Sequence, residues 1–205
     1  MSTRLSIFPL PGALLFPGMH MPLHIFEPRY RALVSDAVAR DRRIGMIQPR
    51  PAPDKTDKPL LFEVGCVGRI ADVQAMDDGC YNLVLEGQAL FRVIRELDVA
   101  TAFRQIEAEL LPVAADESLA LAMRSSLEME SRRFAEAQGF QVDWDSVERL
   151  DDTALVNGIA QIAPFDAAAK QALLEAPGLE ARAELIVQLL QFFGRHDGED
   201  RVTLQ

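Results

Sequence analysis

Between Ile7 and Val34 the chain reads IFPLPGALLFPGMHMPLHIFEPRYRALV, and Pro9, Pro11, Pro17 and Pro22 break its apolar runs every few residues. Proline fixes φ and has no N–H, so none of these four positions can lie inside a regular central strand. The segment is therefore expected to form short strand pieces that bend at the prolines and feed a helix. That helix should start at Pro28, because the first helical N–H has no partner in any case. Glu27 places a negative charge at the positive end of the helix dipole. Tyr30, Leu33, Val34, Ala37 and Val38 fall on one helical face, with Arg29, Arg31, Asp36 and Arg40 on the other.

Composition bounds what surrounds this segment. The chain has 205 residues, 49% hydrophobic and 25% charged, enough for one large domain or two small ones. No apolar run reaches the roughly 20 residues a membrane-spanning helix needs. The first residues lack the pattern of a signal peptide, since Pro9, Pro11 and Gly12 interrupt the apolar stretch after Arg4. A cytoplasmic location is the expectation. Cys66 and Cys80 form no CxxC motif and are expected to be reduced, packed thiols. The formal net charge is −10, unevenly spread: residues 1–112 hold 13 Lys+Arg against 14 Asp+Glu, and residues 113–205 hold 8 against 17. No basic stripe appears, so neither nucleic acid nor an anionic membrane is the expected partner.

The first part of the chain reads as β-structure. Strands are expected at Leu5–Leu10, Arg43–Gln48, Phe62–Met76, Tyr81–Leu85, Leu90–Val99 and Phe103–Leu111, with a turn at Asp77-Asp78-Gly79 and a break at Gly87. The proline-rich run from Pro49 to Pro59 should be a mobile surface loop. Beyond Pro112 the pattern becomes helical. Asp116 is the expected cap of a helix to about Gln138 carrying Leu119, Met123, Leu127 and Phe134, stopped by Gly139. Asp145 and Glu148 read as a capping box for a helix that carries Val147, Leu150, Leu155, Ile159 and Ile162 up to Pro164. Asp166 should cap a short helix. Pro177-Gly178 should open a last one, bearing Leu185, Ile186, Leu189, Leu190 and Phe193 and ended by Gly194, with a frayed tail from His196. The fold class is thus α+β: a β-rich pseudo-barrel with one helix over residues 1–112, then a helical bundle over 113–205.

Four stretches resemble the substrate-binding N-terminal domain of Lon proteases. In that family a strand like LPLFPL leads through a Pro-Gly turn to LHIFEPRYR; here Phe8, Pro9, Phe16, Pro17, Phe26, Glu27, Pro28, Arg29 and Tyr30 carry the pattern. VGCVGRIADVQAMDDGCYNLVLEGQALFRV is similar to the family's strand, DG turn and LEG element, with Leu90 where arginine is usual. Lys170–Glu175 resembles KQxLLE, and LEARAELIVQLL resembles the closing helix. The resemblance implies a barrel similar to PUA-like folds, recognition of polypeptide substrates, and work beside a protease or chaperone.

The chemistry of a complete ATP-dependent protease is not expected. No GxxxxGK phosphate loop occurs. Lys55 and Lys58 lie in a loop and Lys170 on an expected helix surface, none beside a glycine-flanked serine. His20 and His24 are four apart, but Pro22 between them argues against the helix that would make them a metal pair, so neither a metal nor another cofactor is expected. Glu27 with Arg29, and Arg42 or Arg43, are expected to pair and lock the first helix onto the barrel. Met19, His20, Met21 and Pro22 are expected to form a turn at the barrel rim. Methionine suits surfaces that hold varied apolar partners, so this turn is the candidate contact for unfolded client polypeptides. The leading expectation is a non-enzymatic polypeptide-binding or adaptor module. The alternatives are a nucleic-acid-binding barrel and a small-molecule-binding protein.

Overall fold

Pro22, the proline deepest in the opening segment, sits within a strand, and the strand is at the edge of its sheet. The computed structural model describes residues 2–51, 58–112 and 117–199, with side chains through Gly194. It divides into two units, Met1–Val113 and Ala114–Gln205. The first unit runs β1 (Ser2–Pro9), β2 (His20–Ile25), α1 (Pro28–Ala39), β3 (Arg43–Ile47), β4 (Val64–Ala75), β5 (Tyr81–Glu96) and β6 (Gln105–Leu110). The sheet order is β2-β5-β4-β3-β1-β6, and β5 pairs again with β6. Five strands therefore close a ring, and β2 is added beside the first half of β5. Only β1 and β3 are parallel, at Ile7–Gly45 to Pro9–Ile47.

β5 does double duty because it is long and kinked. Tyr81–Glu86 pair with β2, while Phe91–Glu96 pair with β6. Between them the register against β4 slips at Val67/Gly68. The sequence break at Gly87 is thus a bulge inside one continuous strand rather than a gap between two. Two hydrogen bonds pin the Pro17-Gly18 turn there: Gly18 N–H donates to the Gly87 carbonyl at 2.9 Å, and Gly87 N–H to the Met19 carbonyl at 2.8 Å. A Cβ on Gly87 would strike the Phe16 carbonyl oxygen and lie 2.7 Å from its carbon. The main core joins Phe8, Met21, Ile25, Leu83 and Leu85 of the strands to Tyr30, Leu33, Val34 and Ala37 of α1. Val38, expected on the same face, is exposed; eight residues past Tyr30 puts it about 80° around the helix. A smaller core of Leu5, Ile7, Ile47, Val67, Phe91 and Ile106 fills the ring. Cys66 and Cys80 are free and buried, and burial pushes the Cys66 thiol up to about 12. The antiparallel bridge Pro49–Leu61 closes the proline-rich loop at its base; its middle, 52–57, lies outside the described residues.

The second unit holds α2 (Leu121–Gln138), α3 (Trp144–Glu148), α4 (Asp152–Ile162), α5 (Ala167–Glu175) and α6 (Leu179–Glu199). Several expected boundaries move. Asp116 lies outside the described residues, and α2 starts after Ala120 with no side-chain cap. Leu119 precedes the helix, its N–H donated to Asp152 Oδ2 at 2.8 Å. Asp143, not Asp145, caps α3, accepting from Ser146 N–H. The helix expected from there to Pro164 breaks at residues 149–151, where Asp151 caps α4 through Ala154 N–H. Two well-placed caps outcompete one capping box and leave Leu150 and Ile162 exposed. Asp166 caps α5 and Gly139 ends α2 in the left-handed conformation, both as expected. Gly194 does not end α6, which continues to Glu199 through the position where the tail was expected to fray. A Cβ there would lie at ordinary van der Waals distance, 3.6 Å, from the Phe134 ring, so the glycine sits beside α2 within the helix, at a helix-propensity cost of about 1 kcal/mol.

Lys170 is buried rather than on the surface. Its Nζ donates to the Gln161 carbonyl at 3.1 Å, closing the last turn of α4. Buried Arg182 does the same for α5, donating to the Leu173 carbonyl and to Asn157 Oδ1 at 2.9 Å each. Arg124 ties α2 to the α3–α4 connection: it donates to Asp152 Oδ1 at 2.6 Å, Glu128 Oε1 at 2.8 Å and the Leu150 carbonyl at 3.0 Å. The Leu119 N–H, and then Arg124, hold the Asp152 carboxyl below its ordinary range. A carboxylate depressed in the folded state contributes stability above its unfolded pKa and loses it as pH falls through the folded value. Acid titration of the melting temperature should therefore show a smaller loss below about pH 4 in Asp152→Asn than in the wild type. Arg124→Ala should cost about 2 kcal/mol at neutral pH by denaturant unfolding.

Candidate functional site

The four residues expected at a rim turn are the entry to β2. Met21 faces inward, 8% exposed and opposite Leu85, and Met19 packs partly buried on the same core. His20 and Pro22 point to solvent. The correction has a simple cause: strand alternation sends every second side chain inward, so Met19-His20-Met21-Pro22 cannot present four side chains together. His24 is on the same outer face as His20, four residues along a strand and so about 13 Å away, too far to share a metal ion. Among the described residues no group of three or more His, Cys, Asp or Glu is placed to hold one.

The outer face of the sheet forms an open groove of about 400 Å³ across β2, β5 and β4. Its rungs are Pro22, Val84 and Asp72, then His24, Asn82 and Gln74, each set in register across the three strands. His24 Nδ1 lies 2.7 Å from Asn82 Oδ1. Phe26, 62% exposed, follows β2 with its ring 6.2 Å from that of His24. Two stretches of the sheet border are blunted, the edge strand β2 and the far half of β4 beyond its pairing with β3. Pro22 lacks the N–H an added strand would need, and β4 carries a register shift at Ile70/Asp72 with the Val73 N–H turned onto Asp72 Oδ1. The outer face is the open surface of this part of the sheet.

The motif EPRY builds a second feature. Tyr30 packs its ring against Phe8 at 4.3 Å, and the Arg29 guanidinium lies 4.6 Å over the Tyr30 ring. Arg29 pairs with Glu27 at 2.9 Å, both side chains over 40% exposed. This pair is local to the first helical turn and does not join helix to barrel. Arg42 instead donates to the Ile70 carbonyl, and Arg43 pairs with Asp41. Between Tyr30, Pro9 and the segment from Glu96 to Arg104 opens a cleft of about 210 Å³. Arg104 makes its wall, donating to both Glu96 oxygens at 2.9 and 2.8 Å and to the Pro59 carbonyl at 2.8 Å. Lys58 Nζ is 3.2 Å from Glu96 Oε1. Arg104 foremost holds the Glu96 carboxyl below its ordinary range, while burial raises the Tyr30 hydroxyl. Glu96 and Arg104 do not stand out in the sequence, and Lys58 reads there only as a loop lysine, because nothing local marks three residues that meet only when β5, β6 and the proline-rich loop come together.

A mixed five-strand ring with an open sheet face and a polar cleft, followed in sequence by a helical unit, defines a two-part α+β domain. Two solved structures share it: the Lon N-terminal domain protein from Xanthomonas campestris (TM-score 0.68, 23% identity, 93% of this chain and 98% of that one) and the N-terminal domain of Mycobacterium avium complex Lon protease (TM-score 0.69, 18% identity, 92% and 98%). The family model for the ATP-dependent protease La (LON) substrate-binding domain matches residues 4–191, and the chain belongs to this family. Among curated relatives, Lon protease 2 of Myxococcus xanthus is 29% identical over 200 residues, and Lon protease of Anaeromyxobacter dehalogenans 28% over 192, each match covering 91% of this chain. The chain spans about a quarter of their length, 23% in both cases. No described helix is long and apolar enough to cross a membrane.

Proposed function

We propose that this chain is a non-catalytic module that holds unfolded polypeptide segments, in the cytoplasm, for a protease or chaperone. The β-rich part, 1–112, and the helical part, 113–205, constitute one such binding domain. The observation that carries the reading is the match to a substrate-binding domain over residues 4–191. The open sheet face supports it: Pro22, Val84 and exposed Phe26 offer apolar contact, while His24, Asn82 and Gln74 offer hydrogen bonds to a passing backbone. Blunted edges favour side-chain contact over strand addition, which suits clients of varied sequence. The net charge of −10 disfavours nucleic acid as the partner.

Capture of a reduced, chemically unfolded model protein on immobilised chain tests this. The double variant Pro22→Asp with Phe26→Asp should weaken capture about tenfold, the equivalent of roughly 1.4 kcal/mol of lost apolar contact. Both residues are exposed, so the melting temperature should stay near the wild-type value. Unchanged capture would move the site elsewhere; no capture of any unfolded polypeptide by the wild type would sink the function.

A further inference from the structure

The geometry points to the cleft beside EPRY as a receptor for the C-terminal carboxylate of a bound polypeptide, a deepening that rests on the polypeptide-binding reading. Size decides against larger occupants. At about 210 Å³ the cleft is smaller than the ~300–1,000 Å³ of pockets that enclose whole ligands, so it has room for one or two residues. Charge decides the end of the chain. Arg29, Lys58 and Arg104 line the cleft with Glu96 and Asp98; Glu96 engages Arg104 and Lys58, and Glu27 pairs with Arg29, so the cationic group a ligand carboxylate can reach is Arg29, by replacing Glu27.

The roles within the cleft differ. Arg104 is 17% exposed at its side chain and held by Glu96 and Pro59, so it is a fixed wall. Arg29 is 44% exposed and bonded to an equally exposed Glu27, an ion pair of little net worth that a ligand carboxylate can replace at small cost. The guanidinium fork suits a carboxylate held by two hydrogen bonds. Its stacking on Tyr30 fixes the fork at the cleft mouth. Tyr30, itself 8% exposed, lines the same cleft, and its hydroxyl interacts with the Arg29 guanidinium. Pro9, Val99 and buried Phe103 supply an apolar lining for the last side chain.

The test compares a fluorescent hexapeptide ending in leucine with its C-terminal amide, by anisotropy on the full chain. The free carboxylate should bind at least about tenfold tighter. Arg29→Gln and Tyr30→Phe should each reduce that preference while leaving the melting temperature unchanged. Equal affinity for carboxylate and amide, or a preference unaffected by both variants, would overturn the proposal even if unfolded protein is still captured. Tight carboxylate-selective binding without capture of unfolded protein would keep the cleft and reject the general function. N-acetyl-leucine binding as tightly as the peptide would make a small free acid the occupant and overturn the chain-terminus assignment.

Discussion

Gly87→Ala should abolish cooperative folding of the N-terminal unit or lower its stability by more than about 4 kcal/mol, the range that marks core disruption. The cause is steric and does not involve φ. The new methyl group would run into the Phe16 carbonyl, a backbone atom that cannot rotate away as a side chain can. Relief requires lifting the Phe16–Met19 turn off β5, which breaks both hydrogen bonds between Gly87 and that turn. Phe16 is fully buried beneath it, and Leu15 is 1% exposed. Denaturant unfolding followed by far-UV circular dichroism measures the effect. Gly12→Ala makes the control: a Cβ there meets nothing within 4 Å, so its cost is limited to the left-handed φ of 72°. Wild-type stability in Gly87→Ala would show that the turn is not held where the structure puts it.

Met21→Asp comes next in size, with an expected loss of about 3–5 kcal/mol. Read as a turn residue, Met21 looks like a surface contact whose replacement would change only binding. Inside β2 it lies in the core with Leu85 and Leu83, among residues that have no charge to offer a carboxylate. An aspartate there is either buried unpaired or drags β2 away from β5. The melting temperature should fall by at least about 10 °C, taking about 4 °C per kcal/mol for a unit of this size. Any loss of capture in this variant therefore reports unfolding. Pro22→Asp, one residue along and pointing to solvent, should leave the melting temperature within a degree or two. If the two variants melt alike, the inward-outward assignment of β2 is wrong.

The contrast between these neighbours shows how far the sequence is legible. Prolines report local backbone constraint, and they place Pro9 at the end of β1, Pro28 at the start of α1 and Pro22 at a sheet edge. Caps are equally local, which is why Asp166 and Gly139 bound their helices as expected. Asp143, Asp145 and Asp151 are three acidic cap candidates within nine residues, and propensity alone does not choose among them. Lys170 defeats the usual rule that lysine is exposed, because the open carbonyls at the end of α4 supply a buried partner that no window of sequence contains. Gly194 is not a helix stop here; it sits inside α6, beside Phe134 of α2.

The candidate sites divide along the same line. EPRY is conspicuous in the sequence, yet its use as the lip of a cleft depends on Glu96, Arg104 and Lys58, which arrive from other elements. The sequence by itself determined the family, the change from β to helix near Pro112, and the positions where the backbone must bend, since each rests on residues close in the chain. Only the tertiary structure decided which face of β2 meets solvent, that β5 is one kinked strand shared by β2 and β6, and that Arg29 and Arg104 border the same cleft. Those are matters of register and closure, set by the packing of residues tens of positions apart.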